Sequence, residues 1–296
     1  MEDQKPDIQI PDDPDLRRES TKDKYILERG FHANTRQNLQ FYLWKDGGYT
    51  LHPSIPVNLG GLHVAEIGLA TGIWLVDLAG YLPPSAHIDG FDIDISQCAP
   101  IDWLPSNVSL YTVNCVEPFP EQFVGKYDIV HIQLFHLAVQ NNDPEPIVKN
   151  LLTLLKPGGY ISWGEYDYSK WEIVRSKQAT GGSIDHLTSL LDDIGTIGGT
   201  KPDWARNFWP ARLPEIYKEN GLVEIAVDER PFRKEVLQFQ LDTALMASDE
   251  IARTAIDPLG NGKGDRTREL IQKAFADRGN KAFNVSRLTV VGRRPV

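Results

Sequence analysis

Leu62-His63-Val64-Ala65-Glu66-Ile67-Gly68-Leu69-Ala70-Thr71-Gly72-Ile73-Trp74 decides how the rest of the chain is read. A short apolar run enters a glycine, crosses three small or apolar residues to a second glycine, and continues as an amphipathic segment through Leu75-Val76-Asp77-Leu78-Ala79. The pattern predicts a buried strand, a tight turn and a helix start, which lets backbone pass close to a nucleotide-like ligand. Gly68 and Gly72 sit where a side chain would obstruct that approach. Strand–helix turns without a ligand share the pattern, so support has to come from further along the chain.

It comes first from Ala86-His87-Ile88-Asp89-Gly90-Phe91-Asp92-Ile93-Asp94, a second strand ending in acids. Asp92 falls 20 residues beyond Gly72, where a doubly wound fold places its acceptor for ribose hydroxyls. Asp94 is the neighbouring alternative, and an acidic turn residue facing water is the other reading of either. Val108 to Val113 predicts a third strand. Tyr127-Asp128-Ile129-Val130-His131-Ile132-Gln133-Leu134 predicts a fourth, nearly continuous in apolar residues as a strand covered on both faces should be. Asp143-Pro144-Glu145-Pro146 opens a helix through Leu155, with Asp143 as a plausible N-cap. Lys156-Pro157-Gly158-Gly159 stops it, and Tyr160 to Glu165 is the fifth strand. Strands alternating with helices at this rhythm imply parallel βαβ units in a doubly wound α/β sheet.

Composition bounds what such a sheet serves. The chain has 296 residues, enough for one large domain or a core with attached lids. Its formal net charge of −10 gives no electrostatic footprint for nucleic acid. No basic amphipathic stripe or long apolar run points to a membrane, and the start of the chain lacks an apolar signal region. Cys98 and Cys115 are the sole cysteines, which excludes a disulfide framework, and no Cys/His cluster suggests a metal. A cytoplasmic location is the default expectation.

Around the sheet, residues 1–24 are polar, charged and proline-bearing, a composition that predicts a disordered or loosely draped tail. Residues 25–58 read as a helical cap, with one piece over Tyr25 to Phe31 and a second from Thr35 to Trp44. Residues 59–296 form the core, with helical lid insertions expected at about 166–210 and 232–282. The first carries Trp171, Thr180-Gly181-Gly182, a helix over Leu187 to Leu191, Gly198-Gly199, Trp204, Phe208 and Trp209. A helix over Arg212 to Asn220, a strand over Leu222 to Val227, helices over Val236 to Ile256 and Thr267 to Asp277, and a closing strand over Leu288 to Gly292 complete the chain.

With five strands placed, the chain resembles the class I S-adenosylmethionine-dependent methyltransferases, and within them the fungal secondary-metabolism group related to UMTA and LaeA. Carrying the resemblance are Glu66 to Trp74, Asp89 to Ile93, Tyr127 to His131, Leu155-Lys156-Pro157-Gly158-Gly159-Tyr160, and the upstream Arg36 to Trp44 followed by His52-Pro53. It covers residues 25 to 170 well and the rest loosely. It implies a Rossmann-like seven-stranded, mostly parallel sheet whose last strand is antiparallel. It further implies that Gly68, Ala70 and Gly72 pass beneath the methionine part of the cofactor, and that Glu66 organises the loop and the cofactor's amino group. Asp92 would accept from the ribose hydroxyls, Ile93 pack on adenine, and Asn114 stand where the family commonly has an aspartate for the adenine amino group. Gln133 and His136 would lie beside the transferred methyl group. Three departures stand out: no glycine at Leu69 or Ala70, Gln40-Phe41 where the family often has Gln-His, and His131-Ile132-Gln133 where it often has His-x-Arg.

Methyl transfer aligns nucleophile, methyl carbon and sulfur, and often removes a proton. His136 is the candidate base, with a solvent-facing helix-start histidine as its alternative. His131 is a second candidate whose other reading is a packed core residue. Glu165, Tyr166 and Asp167 end the fifth strand, where ligands approach open α/β sheets, or else form a lid-facing salt bridge. Arg36, Gln40 and His52 could line the site or simply make capping contacts. The lid aromatics suggest a wide apolar pocket, or plain lid packing. The expected activity is methylation of an oxygen, nitrogen or carbon of a small natural-product-like molecule. The alternative is a pericyclase that holds the cofactor without transferring its methyl group. A regulator that binds partner proteins is a third reading. Neither the acceptor nor the oligomeric state is legible, a homodimer being one arrangement left open.

Overall fold

The computed structural model describes residues 27–57, 60–177, 185–195 and 208–296. The 1–24 tail, Trp204 and the two glycine pairs expected near 181 and 198 lie outside the described residues. Seven strands form one sheet in the order β3-β2-β1-β4-β5-β7-β6: β1 (His63–Ile67), β2 (His87–Asp92), β3 (Val108–Thr112), β4 (Tyr127–Gln133), β5 (Leu155–Arg175), β6 (Val223–Arg230) and β7 (Lys281–Arg293). β1 to β5 pair in parallel, and β7 runs antiparallel between β5 and β6. The helices are α1 (Phe31–Lys45), α2 (Ile73–Ala79), α3 (Glu145–Leu154), α4 (His186–Gly195), α5 (Leu213–Glu219), α6 (Leu237–Ile251) and α7 (Lys263–Ala276).

The apolar runs become strands because both faces of the sheet are covered. On one face Val64, Ile88 and Ile129 pack under Trp74 and Leu75 of α2. On the other, Ala65, Ile67, Phe91, Val130 and Ile132 meet Ile147, Val148 and Leu151 of α3. Register places Glu66 between Gly90 of β2 and His131 of β4. In-register neighbours of a parallel sheet share a face, so Glu66 and His131 both point to the α2 side.

Two local expectations are corrected. α1 is one helix from Phe31 rather than two pieces, and it buries Phe41, Leu43 and Trp44 while leaving Tyr42 exposed. Residues 166–175 continue β5 rather than opening a helical lid. They pair with β7 as far as Arg175 opposite Lys281, past an irregularity between Asp167 and Glu172. Their partner segment, Lys281 to Arg287, precedes the predicted closing strand and is buried throughout. Two long antiparallel strands thus raise a wall beyond the carboxyl ends of β1 and β4. α6 packs against both α1 and β7, and a second core forms there from Leu43, Trp44, Tyr166, Leu241, Leu245 and Phe283.

Candidate functional site

A cavity of about 1290 Å³ opens at the carboxyl ends of β1, β2 and β4, beneath α1 and α6. Its first half is backbone. Gly68 turns the chain at φ 69° and donates its N–H to Phe91 O at 2.8 Å. A Cβ there would lie 2.7 Å from the Phe135 ring, so this glycine makes room for a side chain of the protein itself. Gly72 is needed for its conformation: it sits at φ 72° ahead of α2, where a Cβ would meet Leu69 and Cys98 only at ordinary contact distance. Between them Ala70 takes φ 50°, a left-handed conformation that costs an L-residue roughly 1–2 kcal/mol. The alanine therefore keeps the turn that the family's glycine would make.

Ala70 N–H donates to Asp92 Oδ2 at 3.0 Å, and Asp94 N–H donates to Asp92 Oδ1 at 3.0 Å. Both oxygens of Asp92 are thereby aimed, and each retains lone pairs for a further donor. Burial pushes the Asp92 carboxyl up, against the pull of those two N–H groups. Asp94 turns away, accepting from Ser96 N–H at 2.9 Å and pairing with Arg29 at 3.6 Å. Of the two acids left open by the sequence, Asp92 lines the cavity. Glu66 lines it too, buried, with Oε2 lacking any hydrogen-bond partner among the described residues. Burial first, and then the charge of Asp92, raise the Glu66 carboxyl well above its ordinary range. Ile93 and Asn114 complete this half, and Asn114 Oδ1 also accepts from Val116 N–H at 3.3 Å.

The second half is assembled from distant segments. Past β4, Leu134 adopts φ 51° and donates its N–H to Gly164 O at 2.8 Å. That turn delivers Gln133 and His136 to the cavity. His136 Nδ1 lies 3.1 Å from Glu165 Oε2. Glu165 is 1% exposed, and its Oε1 accepts from Phe135 N–H at 2.6 Å and from Trp163 Nε1 at 2.9 Å. Tyr168 and Phe208 stand edge-on to the imidazole, at 5.6 and 5.8 Å between ring centres. Trp171, Trp209, Ile194, Ala244, Ile251 and Phe283 supply further apolar wall.

Three expected residues go elsewhere. His131 is buried beside α2, stacked on Trp74 at 3.9 Å and 4°, and is absent from the cavity wall. Burial drives its imidazole down to about 3, which fits its other reading, a packed core residue. His52 bonds Ser54 at 2.7 Å, away from the cavity. Asp167 accepts from Ser169 N–H at 3.0 Å and pairs with Lys170, the salt-bridge alternative. Arg36 and Gln40 do reach the cavity. There the Arg36 guanidinium is held by both oxygens of buried Glu250, at 2.7 and 3.0 Å, and by Gln40 at 2.6 Å. Glu250 and the grip of Glu165 on His136 have no local sequence signature, because their partners lie 214 and 29 residues away. Among the described residues no group of His, Cys, Asp and Glu could hold a metal ion, and no helix is long and apolar enough to cross a membrane.

The N-methyltransferase tcpN of Claviceps purpurea is 34% identical over 211 residues, covering 69% of this chain and 75% of that protein. This chain belongs to the S-adenosylmethionine-dependent methyltransferases of fungal secondary metabolism. The methyltransferase str2 of Strobilurus tenacellus is 31% identical over 204 residues, 68% of each protein. Methyltransferase grgD of a Penicillium species is 36% identical over 115 residues, which span only 40% of its length. No family model matches the chain. Among solved structures, a cyclopropane-fatty-acyl-phospholipid synthase-like protein from Lactobacillus casei superposes with a TM-score of 0.55 at 15% identity, over 90% of this methyltransferase and 95% of that chain. That likeness shows the Rossmann-like fold. The cofactor of this family is S-adenosylmethionine, and the acceptors at the first half of the cavity suit it. A buried carboxyl with an unpartnered oxygen matches an ammonium group, and a backbone-braced carboxylate matches a diol.

Proposed function

We propose that this methyltransferase methylates a nitrogen of a small, largely apolar secondary metabolite, with His136 taking up the proton that the acceptor loses. The single observation that carries the reading is the continuity of the cavity. One space joins Glu66, Asp92 and the glycine turn to Gln133, His136 and the aromatic wall. At about 1290 Å³ it exceeds the roughly 300–1,000 Å³ of a pocket for one drug-sized molecule, as two bound partners require. The choice of nitrogen rests on relatives such as tcpN, named an N-methyltransferase.

Bound S-adenosylmethionine supplies an electrophilic methyl group on a positively charged sulfur. In this reading Glu66 holds the amino group, Asp92 the ribose hydroxyls, and Ile93 with Asn114 the adenine end. Gly68, Ala70 and Gly72 keep the turn close to the cofactor. Gln133 orients the acceptor through its amide. His136 accepts the acceptor's proton, with reach to be set in the complex. Tyr168, Phe208 and Trp209 exclude water, which strengthens the electrostatics of the site. Every arginine at the cavity among the described residues already faces a carboxylate, Arg29 that of Asp94 and Arg36 that of Glu250. An acceptor without a negative charge therefore fits better than an anionic one.

The test is incubation with methyl-labelled cofactor and a panel of apolar amines and amides, run beside His136→Gln. A labelled N-methyl product, with kcat about 10²- to 10⁴-fold lower in the variant and cofactor affinity unchanged, is expected. An isomerised product carrying no label would instead establish the pericyclase reading.

A further inference from the structure

Resting on the reading of His136 as proton acceptor, we infer that Glu165 is its positioning residue: it fixes the hydrogen on Nδ1 and so keeps Nε2 open toward the cavity. In neutral imidazole one nitrogen donates and the other accepts, and the bond made by one nitrogen sets the state of the other. Glu165 offers two oxygens with separate tasks. Oε1 is occupied by the Phe135 N–H and the Trp163 indole N–H. Oε2 is left to His136 Nδ1 at 3.1 Å, and a carboxylate oxygen that accepts there places the hydrogen on Nδ1. Glu165 itself does not line the cavity, whereas His136 does. In this inference the carboxylate sits behind the ring, and the opposite nitrogen is the one left for the acceptor.

The arrangement is rigid by construction. Phe135, the residue before His136, is tied to the same carboxylate that holds the ring. Trp163, two residues before Glu165 on β5, is fully buried and anchors it from below. Tyr168 and Phe208 close the ring's edges. When the acceptor nitrogen gains its methyl group, its proton passes to Nε2. The resulting imidazolium then faces Glu165 through Nδ1–H, so the positive charge meets a buried negative one instead of bare apolar wall.

Glu165→Gln separates this role from packing. The amide keeps a carbonyl oxygen for Phe135 and Trp163, but its NH2 group donates toward Nδ1, which must then accept. The hydrogen moves to Nε2 and closes the base. Nitrogen-15 histidine NMR, at a pH where the ring is neutral and with His136 assigned by loss of its signals in His136→Gln, reads the tautomer directly. The expected wild-type protein carries hydrogen on Nδ1 and the expected E165Q protein carries it on Nε2. In steady-state assays kcat of E165Q falls about 10²-fold or more, with KM and cofactor affinity within a few-fold. Hydrogen on Nε2 in the wild-type protein overturns the inference without any variant. Hydrogen still on Nδ1 in folded E165Q overturns it as well. A tautomer that switches while kcat holds would support Glu165 as positioning residue and remove His136 as the base, so the two readings fail separately.

Discussion

In the proposed reading the cofactor half of the cavity spans Glu66 to Asn114, whereas the acceptor half draws on α1, the turn after β4, the extension of β5, residues 208–209 and α6. In the first half, backbone does the placing: Gly68 and Ala70 in left-handed conformations, and two N–H groups on Asp92. In the second, side chains place one another across long sequence separations, as Glu165 does for His136 and Glu250 for Arg36. A site written in backbone tolerates changes around it so long as the turn forms. A site assembled from side chains depends on each tie. The difference shows why a common cofactor loop can serve divergent acceptor pockets on one fold.

The largest break in the comparison should come at Arg36. Arg36→Met leaves Glu250 buried without its cation, and equilibrium unfolding should show a loss of about 3–5 kcal/mol. Adding Glu250→Leu should recover most of that loss, because the double change removes both charges. A single variant as stable as the wild-type protein would mean that α1 and α6 are held by apolar packing alone.

A smaller effect is expected at His131, which separates packing from catalysis. Its folded pKa, about 3, lies below the ordinary 6.5. The unfolded chain therefore binds the proton first, and stability falls as pH drops from about 6.5 toward 3, at roughly 1.4 kcal/mol per unit. His131→Phe keeps a ring on Trp74 and should lose most of that acid sensitivity between pH 7 and 5, while kcat at neutral pH stays near the wild-type value. A large fall in kcat would return His131 to the catalytic list.

The smallest stability effect, of contrary sign, belongs to Glu66. Its raised folded pKa means that the folded protein keeps a proton the unfolded chain has released, so stability declines as pH rises from the unfolded carboxylate value toward the folded one. Glu66→Gln should raise the melting temperature of the cofactor-free protein at neutral pH, by about 1 kcal/mol in stability. It should also weaken cofactor binding about tenfold. An unchanged affinity would sharpen the picture by confining the cofactor's anchor to Asp92.

The legibility of the sequence follows the same divide. Val64 to Ile67, Ile88 to Phe91 and Ile129 to Ile132 announce buried parallel strands because both faces are covered and most positions are apolar, with one polar residue in each run, Glu66, Asp89 and His131. Asp92 is legible because its place depends on the spacing from one turn. The run Tyr166 to Arg175 was not legible as strand, since polar Asp167, Ser169 and Lys170 interrupt it and its pairing is decided by β7, over 100 residues later. His136 and Glu165 each drew notice, yet nothing local tells that one holds the other. His131 has two readings in the sequence for a related reason: a histidine in a strand can be chemical or packed, and only the fold lays Trp74 flat on it.

Calorimetric titration of S-adenosylmethionine or S-adenosylhomocysteine into the wild-type protein, Asp92→Ala and His136→Gln tests the division between the halves most directly. The account predicts one site in the wild-type protein, a loss of about 10²-fold or more in Asp92→Ala as two hydroxyl contacts to a carboxylate vanish, and affinity within a few-fold of wild type in His136→Gln. Equal affinity in the wild-type protein and Asp92→Ala, or no uptake by either, would contradict it.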